Sequence, residues 1–166
     1  MKIVGFTNIE NKIEMVLKSD SSLMVNRKPF FIPDWSCDMQ YTPCVVVRVC
    51  KLGKHVAAKF ANRYYDAIAP GLNIHAEDCR KQGDYVRTWA FDGYLPVGAF
   101  QSLDSYMPTD LIVDIDEAIC RVSELMIIRQ GDLIFIDRAV PAKSLVREEV
   151  LREEVNGEEV LYCKIK

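Results

Sequence analysis

The segment Cys44-Val-Val-Val-Arg-Val-Cys50 decides the fold of this chain. Its β-branched valines are typical of a buried strand, and Leu52-Gly53 supplies the turn that ends it. A second apolar run, Leu133-Ile-Phe-Ile136, has the same character, and Ile3-Val-Gly-Phe6 is a shorter one. These runs predict a sheet whose central strands are buried.

The C-terminal segment carries two conflicting signals. Residues 146–155 read Val-Arg-Glu-Glu-Val-Leu-Arg-Glu-Glu-Val, a composition with good helix propensity. Asn156-Gly157, however, is the strongest short hairpin signal, and it lies between apolar residues on both sides. We therefore predict a hairpin across residues 150–165, with its charged side chains on a solvated face.

Apolar spacing predicts about three helices. One begins at Asp114, where a capping signal precedes a long apolar stripe. A short amphipathic helix is expected over residues 9–17, and a longer one over residues 56–68 that stops near Pro70-Gly71. Residues 71–110 are rich in turn signals. The sum is an α+β fold in one domain, residues 1–166, with more strand than helix.

Composition excludes several classes of protein. The chain has 166 residues, of which 49% are apolar and 27% charged, and its net charge is −3. Such a chain is not mostly disordered, and without an excess of lysine and arginine it is not a non-specific nucleic-acid binder. No apolar run reaches the roughly 18–20 residues of a membrane helix, and the N-terminus becomes polar too early for a signal peptide.

The cysteines do not have the spacing of a zinc site. Six cysteines occur without a CxxC pair, and there are only two histidines. In the absence of a secretion signal, we expect reduced thiols in a cytoplasmic protein, most of them buried.

Segments spread along the whole chain carry a family resemblance. They are Pro29-Phe-Phe-Ile-Pro-Asp34, Val45–Lys54, Phe60-Ala-Asn-Arg-Tyr-Tyr-Asp66, Ala90-Phe-Asp-Gly-Tyr-Leu-Pro-Val-Gly98, Gly131-Asp-Leu-Ile-Phe135 and Leu161–Lys166. In this order they resemble the fumarylacetoacetate hydrolase family, in its short, single-domain bacterial form. The resemblance implies a β-rich mixed roll, usually dimeric. It also implies hydrolysis, isomerisation or decarboxylation of small oxo-acids at a Mg²⁺ or Mn²⁺ ion, which acts as a Lewis acid.

The residues that would hold this metal are replaced. Matching the Val-rich strand puts Thr42 and Cys44 at the positions of the family's Glu-x-Glu pair, which alternation places on one face. The third carboxylate position falls on Asn73, and a pocket lysine position falls on Trp89. A thiol is soft and suits zinc or copper better than magnesium. We therefore expect no metal cofactor.

Four residues are candidates for remaining chemistry. His75 lies close in sequence to Glu77 and Asp78, and Asp92 follows in a turn. They could form an acid/base set, or they could be polar turn residues. For Cys44, a buried thiol is the expectation, since nothing near it in sequence would lower its pKa. Trp89 could line a ligand pocket or fill the space of a lost metal.

Three functions follow from this pattern. The first is a divergent member of the family that lacks metal-dependent catalysis and acts as a binding or interaction protein, as a dimer or as a heterodimer with an intact relative. The second is an enzyme of the family with a rearranged site. The third is a small-molecule binding module that uses Trp89 and Phe91, with a carboxylic or oxo-acid as ligand. Fold alone does not choose among them.

Overall fold

In the computed structural model, which describes residues 1–166, the centre of the molecule is a seven-stranded mixed sheet. The strands of the chain are β1 (Ile3–Ile9), β2 (Lys12–Lys18), β3 (Leu23–Met24), β4 (Met39–Val49), β5 (Tyr65–Ala76), β6 (Leu95–Pro96), β7 (Gln101–Ser102), β8 (Leu133–Asp137), β9 (Lys143–Ser144), β10 (Val150–Val155) and β11 (Glu158–Lys164). The order in the main sheet is β2-β1-β8-β4-β5-β7, and β9 pairs with β4. Only the β1–β8 pair is parallel within it.

Smaller elements complete the fold. The helices are α1 (Glu77–Lys81), α2 (Tyr85–Trp89) and α3 (Ile115–Leu125), and two 3₁₀ turns span Asp20–Ser22 and Ala58–Arg63. Strands β10 and β11 form a separate hairpin, and β3 pairs with β6. None of the helices combines the length and apolarity that crossing a bilayer requires.

Strand β4 divides the core in two. Val45, Val47 and Val49 pack on the face that α3 covers, while Cys44 and Val46 lie on the opposite face. This alternation is the period of two that a strand imposes, and it occurs here with both faces buried. The prediction of a buried strand over 44–50 is confirmed, and so is the strand over 133–136.

Two further predictions are confirmed. Helix α3 begins where expected, with the Asp114 side chain accepting a hydrogen bond from the backbone N–H of Asp116. The C-terminal hairpin also forms, and its two turn residues, Asn156 and Gly157, both have positive φ.

The helix predicted over residues 9–17 is wrong. Strands β1 and β2 form a hairpin there, and its turn is Glu10-Asn11, both with positive φ. Val16 and Lys18 face inward, whereas Ile13 and Leu17 are partly exposed. Four apolar residues at mixed spacing fit both periods, and the sheet beside them decides the outcome.

The helix predicted over residues 56–68 is also wrong. A 3₁₀ turn ends at Arg63, and β5 then runs through Pro70-Gly71, which had been expected to stop a helix. Pairing with β4 along almost the whole of β5 overrides the local pattern. Gly71 is required in the strand, because a β-carbon there would lie 2.8 Å from the Val46 side chain and 3.2 Å from the Pro96 carbonyl oxygen. The α+β class, rich in strand, is confirmed.

Candidate functional site

The candidate site lies on the face of the sheet that carries Thr42 and Cys44. Antiparallel pairing places Thr42 opposite Asn73 and Cys44 opposite Asp137. Residues directly opposite in a sheet share a face. The three positions that the resemblance assigns to metal ligands therefore come together, joined by a carboxylate from the end of β8.

Asp137 is a fully buried carboxylate with two side-chain donors. The Thr7 hydroxyl donates to its Oδ2 over 2.6 Å, and the Asn73 amide donates to Oδ1 over 3.0 Å. Burial raises the pKa of Asp137 to about 7, and these donors and the charge of Lys18 oppose the rise. The Asn73 Oδ1 atom is buried without a partner.

Lys18 brings a positive charge into the same region. Lys18 is only 5% exposed, and its Nζ donates a hydrogen bond to the carbonyl oxygen of Ile74 over 2.7 Å. The ammonium lies 5.4 Å from the ring centre of Trp89, 5.2 Å from that of Tyr94 and 5.5 Å from that of Phe135. Burial lowers the pKa of Lys18 to about 7, and Asp137 opposes this effect. The ring faces also favour the charged form.

His75 is held between a ring and a carboxylate. Its imidazole stacks on Trp89 with ring centres 5.2 Å apart, and its Nε2 lies 3.5 Å from Oε2 of Glu77. Arg80 fixes that carboxylate with two hydrogen bonds of 2.7 Å. Burial, followed by the charge of Lys18, lowers the pKa of His75 to about 4, so the imidazole is neutral near pH 7. Its Nδ1 is buried without a partner.

A pocket of about 520 Å³ opens above these residues. Its lining comprises Thr7, Asn8, Ile9, Glu10, Asn11, Gln40, Thr42, His75, Glu77, Arg80, Trp89, Ile112, Asp137, Arg138, Ala139, Val140, Pro141 and Ala142. Most of the lining is polar, and it includes Arg138, whose Nε is buried without a partner. The other nitrogens of Arg138 contact the Tyr106 hydroxyl at 2.7 Å and Asp110 at 3.5 Å. Two residues of the lining, His75 and Arg138, thus each carry a buried nitrogen without a hydrogen-bond partner.

The structure separates the four candidate residues into two groups. His75 and Glu77 line the pocket and lie beside each other. Asp78 lies outside it, accepting hydrogen bonds from the Ser36 hydroxyl and the Cys37 backbone N–H. Asp92 is exposed in a turn, also outside the pocket.

The positions matched to the family's site differ in whether they line the pocket. Thr42 and Trp89 line the pocket, whereas Asn73 and Cys44 are buried and do not line it. Burial raises the pKa of the Cys44 thiol well above its usual range, which does not suit a nucleophile. Phe91, expected beside Trp89, packs instead against Trp35 and Tyr94.

Sequence reasoning missed Lys18, Asp137 and Arg138. Lys18 was missed because residues 9–17 were predicted as a helix. In a strand, alternation places Lys18 inward with Val16. Asp137 directly follows the apolar run of β8, and a carboxylate that continues a buried strand is a signal in itself.

The donor set does not fit Mg²⁺ or Mn²⁺. These ions prefer several oxygen ligands, mainly carboxylates. Thr42 and Asn73 offer neutral oxygens, Cys44 a protonated thiol, and Asp137 the one carboxylate of the cluster. No three His, Cys, Asp or Glu side chains are grouped so that they could hold a metal ion. Lys18 adds a positive charge that repels one.

Comparison with solved structures defines the fold class. The chain superimposes over 99% of its length on fumarylpyruvate hydrolase from Pseudomonas aeruginosa, solved with Mn²⁺ and pyruvate, covering 88% of that chain at a TM-score of 0.83 and 16% identity. It matches 2-hydroxyhepta-2,4-diene-1,7-dioate isomerase from Mycobacterium marinum over 73% of that chain, at a TM-score of 0.85 and 17% identity. A protein from Yersinia pestis, assigned to the fumarylacetoacetate hydrolase family, is covered over 92% at a TM-score of 0.84 and 18% identity.

The chain therefore has the fold of the fumarylacetoacetate hydrolase proteins, as the resemblance implied. No family model and no curated protein matches its sequence. The superpositions establish the fold, and sequence identities of only 14–18% leave the chemistry to be argued from the residues of the site.

Proposed function

We propose that this chain is a divergent relative of the fumarylacetoacetate hydrolases that binds a small organic acid without a divalent metal ion. The observation that carries the proposal is the combination of two features. The pocket of about 520 Å³ is large enough for a small acid, and two of its lining residues, His75 and Arg138, each carry a buried nitrogen without a partner. The cluster at its base lacks the carboxylates that would hold a metal.

The unpaired atoms define the ligand class. Arg138 offers a cationic donor, the group that pairs best with a carboxylate. Neutral His75 has its Nε2 toward the Glu77 carboxylate, which favours the tautomer protonated at Nε2 and leaves Nδ1 as an acceptor. A ligand with a carboxylate and a hydroxyl or enol group would satisfy both residues after a small shift of their side chains toward the pocket. Leaving such atoms unpaired in a buried place is costly, so their pairing favours binding.

Thermal melting in the presence of small oxo-, hydroxy- and dicarboxylic acids tests the proposal. A ligand at about 100 times its Kd stabilises by roughly 2.7 kcal/mol, which for a chain of this size raises Tm on the order of 5–10 °C. The shift should appear in the presence of EDTA and should not grow with Mg²⁺ or Mn²⁺. Arg138→Gln and His75→Phe should each weaken binding at least about tenfold, the effect of losing one hydrogen bond to a charged or buried group.

Arg121→Gln is the matched control, because Arg121 is an exposed arginine of α3 outside the pocket. It should leave ligand affinity unchanged. A ligand-induced shift that requires a divalent metal ion would refute the proposal, and so would equal binding by the Arg138 and Arg121 variants.

A rearranged enzyme is the second candidate, and the position of His75 favours it. A neutral imidazole beside Glu77, on a residue that lines the pocket, is placed to move a proton to or from a bound acid. Such a site would exchange the protons next to the carbonyl of an oxo-acid. Proton NMR in D₂O measures this exchange, and an oxo-acid that binds without exchange beyond the His75→Phe background would exclude the enzyme.

We also propose that the protein is cytoplasmic and associates with a second copy. All six cysteines are free, which suits a reducing compartment. Strand β2 ends the main sheet and exposes Ile13 and Leu17, and exposed strand edges favour pairing. Light scattering should give a dimer. A monomer at high concentration would exclude self-association and leave a heterodimer with an intact relative as the partner to search for.

A further inference from the structure

The buried ammonium group of Lys18 lies among the positions where the fold's metal ligands were expected. It reaches the main chain of β5 at Ile74, which is the neighbour of Asn73. It also faces the ring of Trp89, and the buried carboxyl group of Asp137 is the acidic group that acts on it electrostatically. We infer that Lys18 is a built-in cation that takes the place of a divalent metal ion at the centre of this fold and excludes one from it.

The surroundings of Lys18 suit a single positive charge. Three aromatic rings and one carbonyl oxygen contact the ammonium, and it makes no direct ion pair with a carboxylate. Ring faces and a carbonyl bind a monovalent cation, whereas Mg²⁺ and Mn²⁺ prefer carboxylate and other oxygen ligands in larger number. The environment is therefore arranged for Lys18 and not for a metal.

The charge balance of the cluster supports the same conclusion. Asp137 is its one carboxylate, and Thr7 and Asn73 orient it through hydrogen bonds. Lys18 and Asp137 are the fully buried basic and acidic groups of this region. A divalent ion added here would lie beside the ammonium group of Lys18, with Asp137 as the one carboxylate of the cluster, in a medium that screens poorly.

The inference rests on the proposed function, because it explains why the pocket works without a metal, but its test is separate. Thr42→Glu and Asn73→Asp together restore two carboxylates to the cluster while Lys18 remains. Lys18→Met is then added, since methionine has a similar length and no charge. The matched control adds Lys12→Met instead, because Lys12 is exposed at the start of the same strand. Circular dichroism checks that each variant is folded.

Mn²⁺ binding by each variant is measured with electron paramagnetic resonance and calorimetry. The Lys18 variant should bind Mn²⁺ at least about 30-fold more tightly than the Lys12 control, the weakest effect expected when a unit charge opposes a divalent ion a few ångströms away. Equal affinity in the two would overturn the inference. So would a folded Lys18 variant that does not bind Mn²⁺.

A milder pair of variants keeps the test decisive if the larger changes prevent folding. Asn73→Asp is nearly isosteric, and it is compared alone and together with Lys18→Met. Only the double variant should gain thermal stability from Mn²⁺, and a gain in both or in neither would overturn the inference. Failure of the proposed function would appear elsewhere, as a wild-type protein that binds no acid without metal.

Discussion

Replacing His75 by phenylalanine should remove an acid-sensitive contribution to stability. The ring would still stack on Trp89, as the imidazole does at 5.2 Å, but it could not take up a proton. In the wild-type protein, burial lowers the pKa of His75 from 6.5 to about 4. Between pH 6.5 and about 4, the imidazole of His75 therefore binds a proton in the unfolded chain but stays neutral in the folded one.

The sign and size of the effect follow from this difference. The contribution of His75 to the free energy of unfolding is fully present above pH 6.5. It is lost as the pH falls toward about 4, because the unfolded state gains the proton first. At 1.36 kcal/mol per pKa unit, the contribution is about 3 kcal/mol, or on the order of 6–12 °C in Tm for a chain of this size.

Another buried group acts in the opposite direction over the same range. The pKa of Asp137 is raised from 3.8 to about 7, so its protonation in the folded state stabilises the protein as the pH falls through about 7. The total pH profile is therefore a sum of opposing contributions. Only the difference between wild type and the His75→Phe variant isolates the imidazole.

Urea unfolding followed by far-ultraviolet circular dichroism measures that difference. The free energy of unfolding of wild type relative to the variant should fall by about 3 kcal/mol between pH 7 and pH 4. A difference that does not change with pH would refute the claim that His75 is held neutral in the folded protein. It would also weaken its assignment as the acceptor in the pocket.

Three further predictions concern stability and the limits of the site. Lys18→Met should lower the free energy of unfolding by about 1–3 kcal/mol in urea titrations, because the Ile74 carbonyl loses its hydrogen bond from the buried Lys18 Nζ. Lys12→Met, at the exposed start of the same strand, should cost less, and an equal loss in the two variants would contradict the prediction. Gly5→Ala should cost about 1–3 kcal/mol, since a methyl group there overlaps the Phe135 ring, and Phe135→Leu in the same chain should reduce the cost in thermal melts. Asp78→Asn should lower stability by about 1 kcal/mol without changing acid affinity in calorimetry, because its hydrogen bonds lie outside the pocket; a loss of affinity would place it in the site after all.

Local sequence signals correctly predicted the elements whose structure depends on residues close together in the chain. Asp114 caps α3 and Asn156-Gly157 closes the last hairpin, and both act over a few residues. The strand at Val45–Val49 was predictable because β-branched residues favour it on either face. The segments at 9–17 and 56–68 were not, since their few apolar residues fit two periods and pairing within the sheet decided between them.

The residues of the site likewise divide into those that the sequence predicted and those that only the folded sheet brings together. Matching the Val-rich strand placed Thr42 and Cys44 on one face with Asn73 near them, and β4–β5 pairing brings these residues together. His75 and Glu77 were recognisable from their closeness in sequence, whereas the distant position of Asp78 was not, because adjacent residues at the start of a helix diverge in direction.

The sequence by itself determined the β-rich α+β class, the buried central strands and the replacement of carboxylates at the expected metal positions. Only the tertiary structure decided what occupies that place. Lys18, Asn73 and Asp137 are far apart in the chain, and nothing in the sequence shows that their side chains meet. They act together because the hairpin β1–β2, strand β5 and strand β8 meet in one sheet, and a charge acquires its chemistry from the burial and the partners that this meeting imposes.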